Sequence, residues 1–198
     1  MGYKLCPKCE LNYIIDTEEC CKICSREDLL SPIKHEPIVR KDNNPYTFMV
    51  FQGVTFDIEH KGGYIWAPLE TDSGRYVHHW SRLIDLRIDD IIFHSVGRKI
   101  VALSTAIKEA VIIDRPYSVN GSANNKGRLV KCDYIILNKP LNLDDFQSEI
   151  LKLEQTKFSP FDKNGNGNQG CLFVLNRELA KVFLNSIKKE QTISININ

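Results

Sequence analysis

Two pairs of cysteines near the N terminus are the feature that most constrains how this 198-residue chain folds. Cys6 and Cys9 form one CxxC pair, and Cys21 and Cys24 form a second pair further along the chain. Two such pairs can enclose one Zn²⁺ ion in a tetrahedral shell of four thiolates. Because a segment of about 25 residues buries too little apolar surface to fold unaided, the metal would supply its folding free energy. We therefore predict a structural four-cysteine zinc ribbon over residues 1–30.

Two details of the cysteine pattern stay open. A redox-active CxxC is the alternative interpretation, but it explains only one of the two pairs. Cys20 adjoins Cys21 and can take its place as a ligand. Cys132 and Cys171 lie in apolar runs, which predicts buried thiols rather than ligands.

The rest of the chain divides into a linker, a larger domain and a tail. Residues 31–46 are rich in proline and charge, which is typical of a linker. Residues 47–190 carry strand and helix patterns, and residues 191–198 form the tail. Strands are predicted at 48–58, 64–66, 91–96, 99–107, 111–115 and 129–137, with a hairpin turn at Gly97 and Arg98. The alternating Ile193, Ile195 and Ile197 predict an added edge strand.

Helical patterns are fewer. Trp80, Leu83 and Ile84 have the spacing of a short helix face. Phe146, Ile150 and Leu153 predict a second helix, capped by Asn142 or Asp144, and Asn176 is suited to cap a C-terminal helix. Several strands and few helices, without β-α-β alternation, indicate an α+β fold with a mostly antiparallel barrel or curved sheet.

Composition and charge narrow the class of partner. The formal net charge of +1 excludes a simple basic-patch binder of nucleic acid, but it permits recognition of a single base in a pocket. Neither a signal peptide nor an apolar run of membrane-spanning length is present, so we expect a cytoplasmic protein that does not enter membranes.

No catalytic pattern stands out, so we do not expect an enzyme. The chain lacks a GxSxG elbow and a phosphate-binding loop with GK[ST]. His78 and His79 are adjacent, and neighbouring side chains point in different directions, so such a pair rarely binds one metal ion; we predict surface or loop histidines. The run NGNGNQ, residues 164–169, is either a plain turn or a loop that brings amides to the edge of a base.

Two tryptophans provide the strongest indication of a ligand. Trp66 lies in the tract GGYIWAP, residues 62–68, where the paired glycines permit close approach of another backbone. Trp80 follows in a short polar segment. Both indoles suit the hydrophobic core, and they also suit the walls of a pocket for a flat ring.

Taken in order, five segments resemble the EVE-like modules of the PUA superfamily. They are FMVFQGVTF, GGYIWAP, HHW, DDIIFHSV and IVALSTA, between Phe48 and Ala106, and Gly165–Gln169 is similar to a GNGNQ-like loop of the family. The combination with a cysteine-rich head is similar to the reader parts of McrA-type and HNH-type modification-dependent restriction endonucleases. The chain departs from the family at Asp89 and Ser104, where glycines are common, and it carries no HNH nuclease segment.

The resemblance implies a PUA/EVE-like β-barrel that reads a modified base of double-stranded DNA, flipped out of the duplex, as part of a restriction or antiviral defence system. An HNH-type nuclease domain or subunit would be its partner. The implied base pocket comprises Tyr64, Trp66, Trp80, Phe93, His94, Ser95, Ser104, Asn168 and Gln169. The implied phosphate contacts are Arg75, Arg82, Arg98 and Lys99. Tyr117 and the loop 120–127 are candidates for insertion into the duplex.

Two other functions stay open at this point. PUA-like folds also bind modified RNA, and a contact to a 2′-hydroxyl would distinguish the two nucleic acids. Alternatively, the zinc ribbon docks a protein partner and the barrel is only structural. Neither the modification nor the oligomeric state follows from the sequence.

Overall fold

The computed structural model describes residues 38–117, 126–153, 159–168 and 170–197, together with two short N-terminal strands. Contacts within the chain define two units, Met1–Glu36 and Pro37–Asn198. In the first unit, β1 (Tyr3–Leu5) pairs antiparallel with β2 (Tyr13–Ile15). The predicted zinc ligands Cys6, Cys9, Cys21 and Cys24, and also Cys20, lie outside the described residues, as does most of the loop 120–127. The zinc site and the predicted domain boundaries therefore remain predictions.

One curled sheet organises the second unit. Its strands are β3 (Thr47–Phe51), β4 (Tyr64–Pro68), β5 (Ile91–Val96), β6 (Lys99–Ala106), β7 (Val111–Asp114), β8 (Lys126–Asn142) and β9 (Leu172–Val174). The order is β4-β8-β6-β5-β3-β9, and β7 also pairs with β8. Only β3 and β5 run parallel among the described pairs. Because the long β8 pairs with β4 near its start and with β6 further along, it curls the sheet into a half-barrel.

Four α-helices accompany the sheet in the described part of the chain. They are α1 (Phe56–Gly62), α2 (His78–Ser81), α3 (Gln147–Leu153) and α4 (Arg177–Glu190). Short 3-10 helices follow α2 at Arg82–Asp85 and precede α3 at Leu143–Phe146. The predicted α+β class with a curved sheet is thus confirmed. None of these helices has the length and apolar character that a membrane crossing requires.

The sheet buries side chains on both of its faces. On β3, Phe48 and Val50 belong to one hydrophobic cluster, whereas Met49 belongs to another that includes Phe183 of α4. The period of two in a strand explains this division, since alternate side chains point to opposite faces. His94 lies on the same face of the sheet as Phe48 and Val50. Ile92 of the adjacent β5 pairs with Phe48 and belongs to the same cluster, and His94 is two residues further along β5.

Local patterns predicted several elements correctly. Gly97 and Arg98 form the β5–β6 turn with φ of 55° and 61°, as the tight hairpin required. The Asn176 side chain accepts hydrogen bonds from the amides of Glu178 and Leu179 at the start of α4. Asn142 similarly accepts one from the amide of Asp144.

Three predictions of local structure were wrong or incomplete. The strand predicted over 48–58 ends at Phe51, and α1 begins at Phe56. Gly63 ends that helix in the left-handed region at φ 63°, where its amide bonds to the last turn. The tail 191–197 forms no strand; Ile195 is instead buried in the cluster of Phe183. β9 has only three residues, too few for a period to show.

Candidate functional site

A groove lies where β3 and β5 end, beside residues 166–168 and 170–171. It has two adjoining compartments that share Phe51 and Gly170. The first, called here the Gln52 compartment, has a volume of about 530 Å³ and is lined in part by Gln52, Ser95, Arg98 and Asn168. The second, called the Trp80 compartment, has a volume of about 540 Å³ and is lined in part by Arg75, His79, Trp80 and Cys171. Both volumes fall within the range of small-molecule sites.

The backbone of the Gln52 compartment is set by the parallel pairing of β3 with β5. Gln52 follows the last residue of β3, and its amide donates to the carbonyl of Ser95 over 2.9 Å. The Ser95 side chain is only 2% exposed, and its hydroxyl has no hydrogen-bond partner among the residues that the structure describes. A buried hydroxyl without a partner is unfavourable in the free protein. Ser95 thus contributes to the lining of the groove a residue whose buried hydroxyl has no acceptor among the described residues.

The Gln52 amide is held by a chain of buried polar groups under the groove. Its Nε2 donates to the carboxylate of Glu59, so its Oε1 lies 2.7 Å from Nδ1 of His94. On the other side of the imidazole, Nε2 lies 2.7 Å from the hydroxyl of Ser104. Since an amide oxygen can only accept, the proton of His94 resides on Nδ1 and Ser104 donates to Nε2. The direction of each hydrogen bond from Glu59 through Gln52 and His94 to Ser104 is therefore determined.

Burial shifts the pKa of both ionisable groups in this hydrogen-bond network, His94 and Glu59. His94 is fully buried, which lowers its pKa to about 3 and keeps the ring neutral at pH 7. Desolvation raises the pKa of Glu59 to about 7, opposed by hydrogen bonds from Gln52 and Thr55. The Tyr134 ring lies 4.5 Å from the His94 ring, and its hydroxyl donates to the carbonyl of Tyr64. These contacts fix the position of the Gln52 amide, which lines the groove.

Asp162 organises the glycine-rich loop at the rim. Its Oδ1 accepts from the amides of Asn164 and Asn166, both over 2.8 Å, and these bonds lower the pKa of Asp162. Gly165 has a φ of 77°, a conformation that side chains rarely adopt. The loop places Asn168 in the groove, where its Nδ2 donates to the carbonyl of Ser159. Asn166, Gly167 and Asn168 of the predicted loop therefore line the groove, and Gln169 lies outside the described residues.

His79 and Trp80 form the wall of the second compartment. The amide of Cys171 donates to Nδ1 of His79 over 2.9 Å, while the imidazole stacks on Phe173 at 6.2 Å. The Trp80 ring stands nearly perpendicular to it at 6.0 Å. Burial also lowers the pKa of His79, so the ring is neutral. His79 was predicted to be a surface or loop histidine, whereas it is half-buried in α2. Its contact with Cys171 joins residues far apart in the sequence, so no local pattern indicates it.

The two tryptophans do not meet. Trp80 packs against the cluster of Phe48 and Val50, whereas Trp66 forms a separate cluster with Tyr64 and Leu129. Trp66 is 5% exposed, and Tyr117 lies against its ring at 5.8 Å. Neither Trp66 nor Tyr64 lines the two compartments. The alternative interpretation of Trp66 as a core side chain describes its surroundings.

Several other predicted pocket and phosphate residues also lie away from the groove. Phe93 points to the opposite face of the sheet and packs on Phe183, because it alternates with His94 along β5. Arg82 is buried and pairs with Asp85 over 3.0 Å, which removes it from contact with a phosphate. Lys99 is exposed but does not line the groove. Arg75 and Arg98 do line it.

His94 and Ser104 are completely buried and bond to each other, and His94 also bonds to Gln52, so they support a residue that lines the groove. Sequence reasoning did not identify Gln52, which connects this pair to the surface. Within residues 38–117, 126–153, 159–168 and 170–197, no cluster of three His, Cys, Asp or Glu side chains could hold a metal ion.

Comparison with known proteins identifies no family. No family model matches the chain, and no curated protein matches it. Among solved structures, the chain is similar to the N-terminal domain of McrB from Staphylothermus marinus, with 11% identity, a TM-score of 0.48, and coverage of 76% of this chain and 99% of that one. It is also similar to a protein from Pseudomonas syringae, with 12% identity, a TM-score of 0.47, and coverage of 71% and 99%. A protein from Rhodopseudomonas palustris is similar with 15% identity and a TM-score of 0.45, and the match covers 74% of this chain and 96% of that one.

Proposed function

We propose that this chain is a nucleic-acid reader that holds one modified base, turned out of double-stranded DNA, in the groove. The single observation that carries the proposal is the lining of the groove. An indole, an amide and an unpartnered buried hydroxyl lie in adjoining compartments, at Trp80, Gln52 and Ser95. These groups are what recognition of a base requires, namely a flat stacking surface and hydrogen-bonding partners for its edge.

The charges of the groove fit the same ligand. Arg75 and Arg98 each line one compartment, although the protein carries almost no net charge. Two arginines beside a pocket can contact the phosphates that flank a flipped base, and such contacts position the strand without reading its sequence. Affinity should therefore fall with salt, whereas the preference for the modification should not.

The energies indicate a moderate preference. Turning a base out of the duplex costs a few kcal/mol, and stacking returns about 1–3 kcal/mol per base. A methyl group adds about 0.8 kcal/mol by buried area alone, and about 1–3 kcal/mol where it fills a preformed apolar recess. We expect a preference of about ten- to a hundredfold for a modified over a plain base. In this proposal the zinc ribbon and a nuclease partner belong to the wider restriction system that the sequence resembles.

The test is binding measured by fluorescence polarisation at moderate salt. The probes are one duplex in four forms, unmodified or carrying 5-methylcytosine, 5-hydroxymethylcytosine or N6-methyladenine, and the matched RNA. A preference of at least about tenfold for one modified duplex is the expected result. Equal and weak binding to all of the DNA probes would overturn the proposal, and a preference for the RNA would transfer the function to modified RNA.

Variants of the two tryptophans locate the site. Trp80→Ala should abolish the preference, and Trp80→Phe should retain most of it because an aromatic face remains. Trp66→Phe is the matched control, since it changes an equally large side chain outside the groove. If Trp66→Phe abolishes the preference and Trp80→Ala does not, the assignment of the groove is wrong.

A further inference from the structure

The sequence assigns no role to His79, but its environment is that of a preorganised hydrogen-bond donor. Three neighbours hold the imidazole: the ring of Phe173 stacks on one face, the ring of Trp80 stands against it, and the Cys171 amide donates to Nδ1. A ring held on two sides and bonded through one nitrogen has lost most of its rotational freedom. Any group it presents to the compartment is therefore presented in one direction.

The hydrogen bond from Cys171 also determines which nitrogen carries the proton. A backbone amide can only donate, so Nδ1 must be the acceptor and has no hydrogen. Burial keeps the imidazole neutral. The hydrogen of the neutral ring then resides on Nε2, which has no hydrogen-bond partner among the residues that the structure describes. His79, which lines the compartment, thus carries an N–H donor whose tautomer is set by the fold.

We propose that His79 is a specificity-determining residue, which donates from Nε2 to a hydrogen-bond acceptor on the edge of the bound base. The inference rests on the proposed function and identifies the chemistry that this compartment selects. It selects a ring nitrogen or a carbonyl oxygen at that edge, and it disfavours an exocyclic amino group, which would set one donor against another. Trp80 supplies the stacking face beside the donor.

Two substitutions separate the two roles of His79: Nε2 is proposed to donate to the base, and Nδ1 accepts from Cys171 and holds the ring in place. In His79→Asn, the amide oxygen can take the place of Nδ1 and accept from Cys171, but no group reaches the position of Nε2. In His79→Gln, the longer amide can place an N–H near the position of Nε2, but the acceptor for Cys171 is lost. The two variants therefore exchange opposite halves of the imidazole.

The experiment measures binding of both variants to the best-bound probe of the duplex panel, with thermal unfolding as a second measurement. His79→Asn should bind at least about tenfold more weakly than the wild type while unfolding near the same temperature. His79→Gln should bind within about threefold of the wild type, although it unfolds at a lower temperature. Wild-type affinity in His79→Asn, or equal losses of affinity in both variants, would overturn the inference.

Base analogues complete the test. Deaza or deoxy analogues of the best-bound base each lack one edge acceptor. One of them should weaken binding to the wild type about tenfold and have no further effect on His79→Asn, because both changes remove the same hydrogen bond. Additive losses for every analogue would contradict the inference but leave the proposed function intact. Failure of the wild type to bind any nucleic acid would instead overturn the proposed function and the inference together.

Discussion

At the scale of single residues, the buried carboxylate of Glu59 makes the folding stability of the protein depend on pH. Its side chain is 2% exposed, and desolvation raises its pKa from 4.5 to about 7. An acid whose pKa is higher in the folded state binds its proton more tightly there than in the unfolded state. The contribution of Glu59 to the free energy of unfolding is therefore greatest below about pH 4.5, and it decreases as the pH rises toward 7.

Replacing Glu59 by Gln should remove this dependence. Glu59→Gln keeps an acceptor for Gln52 and has no charge to bury, so it should raise the free energy of unfolding by up to about 3 kcal/mol at about pH 8 and change it little at about pH 4.5. Urea denaturation at several pH values measures the effect. Asp57→Asn on the same helix is the control, because that side chain is 80% exposed. Parallel pH profiles for Glu59→Gln and the wild type would contradict the prediction.

Two buried serines should respond in opposite ways to loss of the hydroxyl. The hydroxyl of Ser95 has no described partner, so Ser95→Ala should leave the free energy of unfolding unchanged or raise it slightly. Ser104→Ala leaves Nε2 of His94 without its donor and should lower that free energy by about 1–3 kcal/mol.

Binding separates the two serines further. Ser95→Ala should weaken binding of the best duplex about three- to tenfold, since a ligand hydrogen bond is worth about 1 kcal/mol. Denaturation and fluorescence polarisation of the same protein samples provide both measurements. Substantial destabilisation by Ser95→Ala with unchanged binding would show that the hydroxyl is structural.

At the scale of elements, α4 completes the hydrophobic core on one face of the sheet. Its Leu179, Phe183 and Ile187 are buried, and Asn176 caps its first turn. Asn176→Ala should lower the free energy of unfolding by about 1 kcal/mol because two backbone amides lose their acceptor. Asn185→Ala, at an exposed position in the same helix, should have little effect. Chemical denaturation compares the two, and equal changes would exclude a capping role.

At the scale of the whole molecule, the zinc ribbon remains a prediction from the sequence. The first CxxC pair follows β1 directly in the sequence and precedes β2. We expect the purified protein to contain one zinc ion per chain, and Cys9→Ser to lose it because a closed structural site needs all four ligands. Elemental analysis with a thiol titration measures this. Cys132→Ser is the control, as Cys132 is a buried thiol of the sheet. Retention of full zinc by Cys9→Ser would contradict the predicted ligand set.

The groove exists only because distant parts of the chain meet. Gln52 follows β3, Ser95 lies on β5, and residues 166–168 and 170–171 close the other side. The parallel pairing of β3 with β5 brings the first two together, and such pairing requires a long connection between the strands. Sequence spacing therefore could not predict that Gln52 and His79 belong to one site.

What the sequence by itself determined is local. The β5–β6 turn and the caps at Asn142 and Asn176 follow from interactions among neighbouring residues, which the amino-acid pattern records directly. What only the tertiary structure decided is which of two similar side chains lines the groove. Trp66 became a core side chain and Trp80 a wall of the groove, because strand pairing and the positions of residues 170–171 determine which surfaces are covered. Which apolar surface is covered by a distant part of the chain depends on long-range contacts, and the pattern of neighbouring residues does not record them.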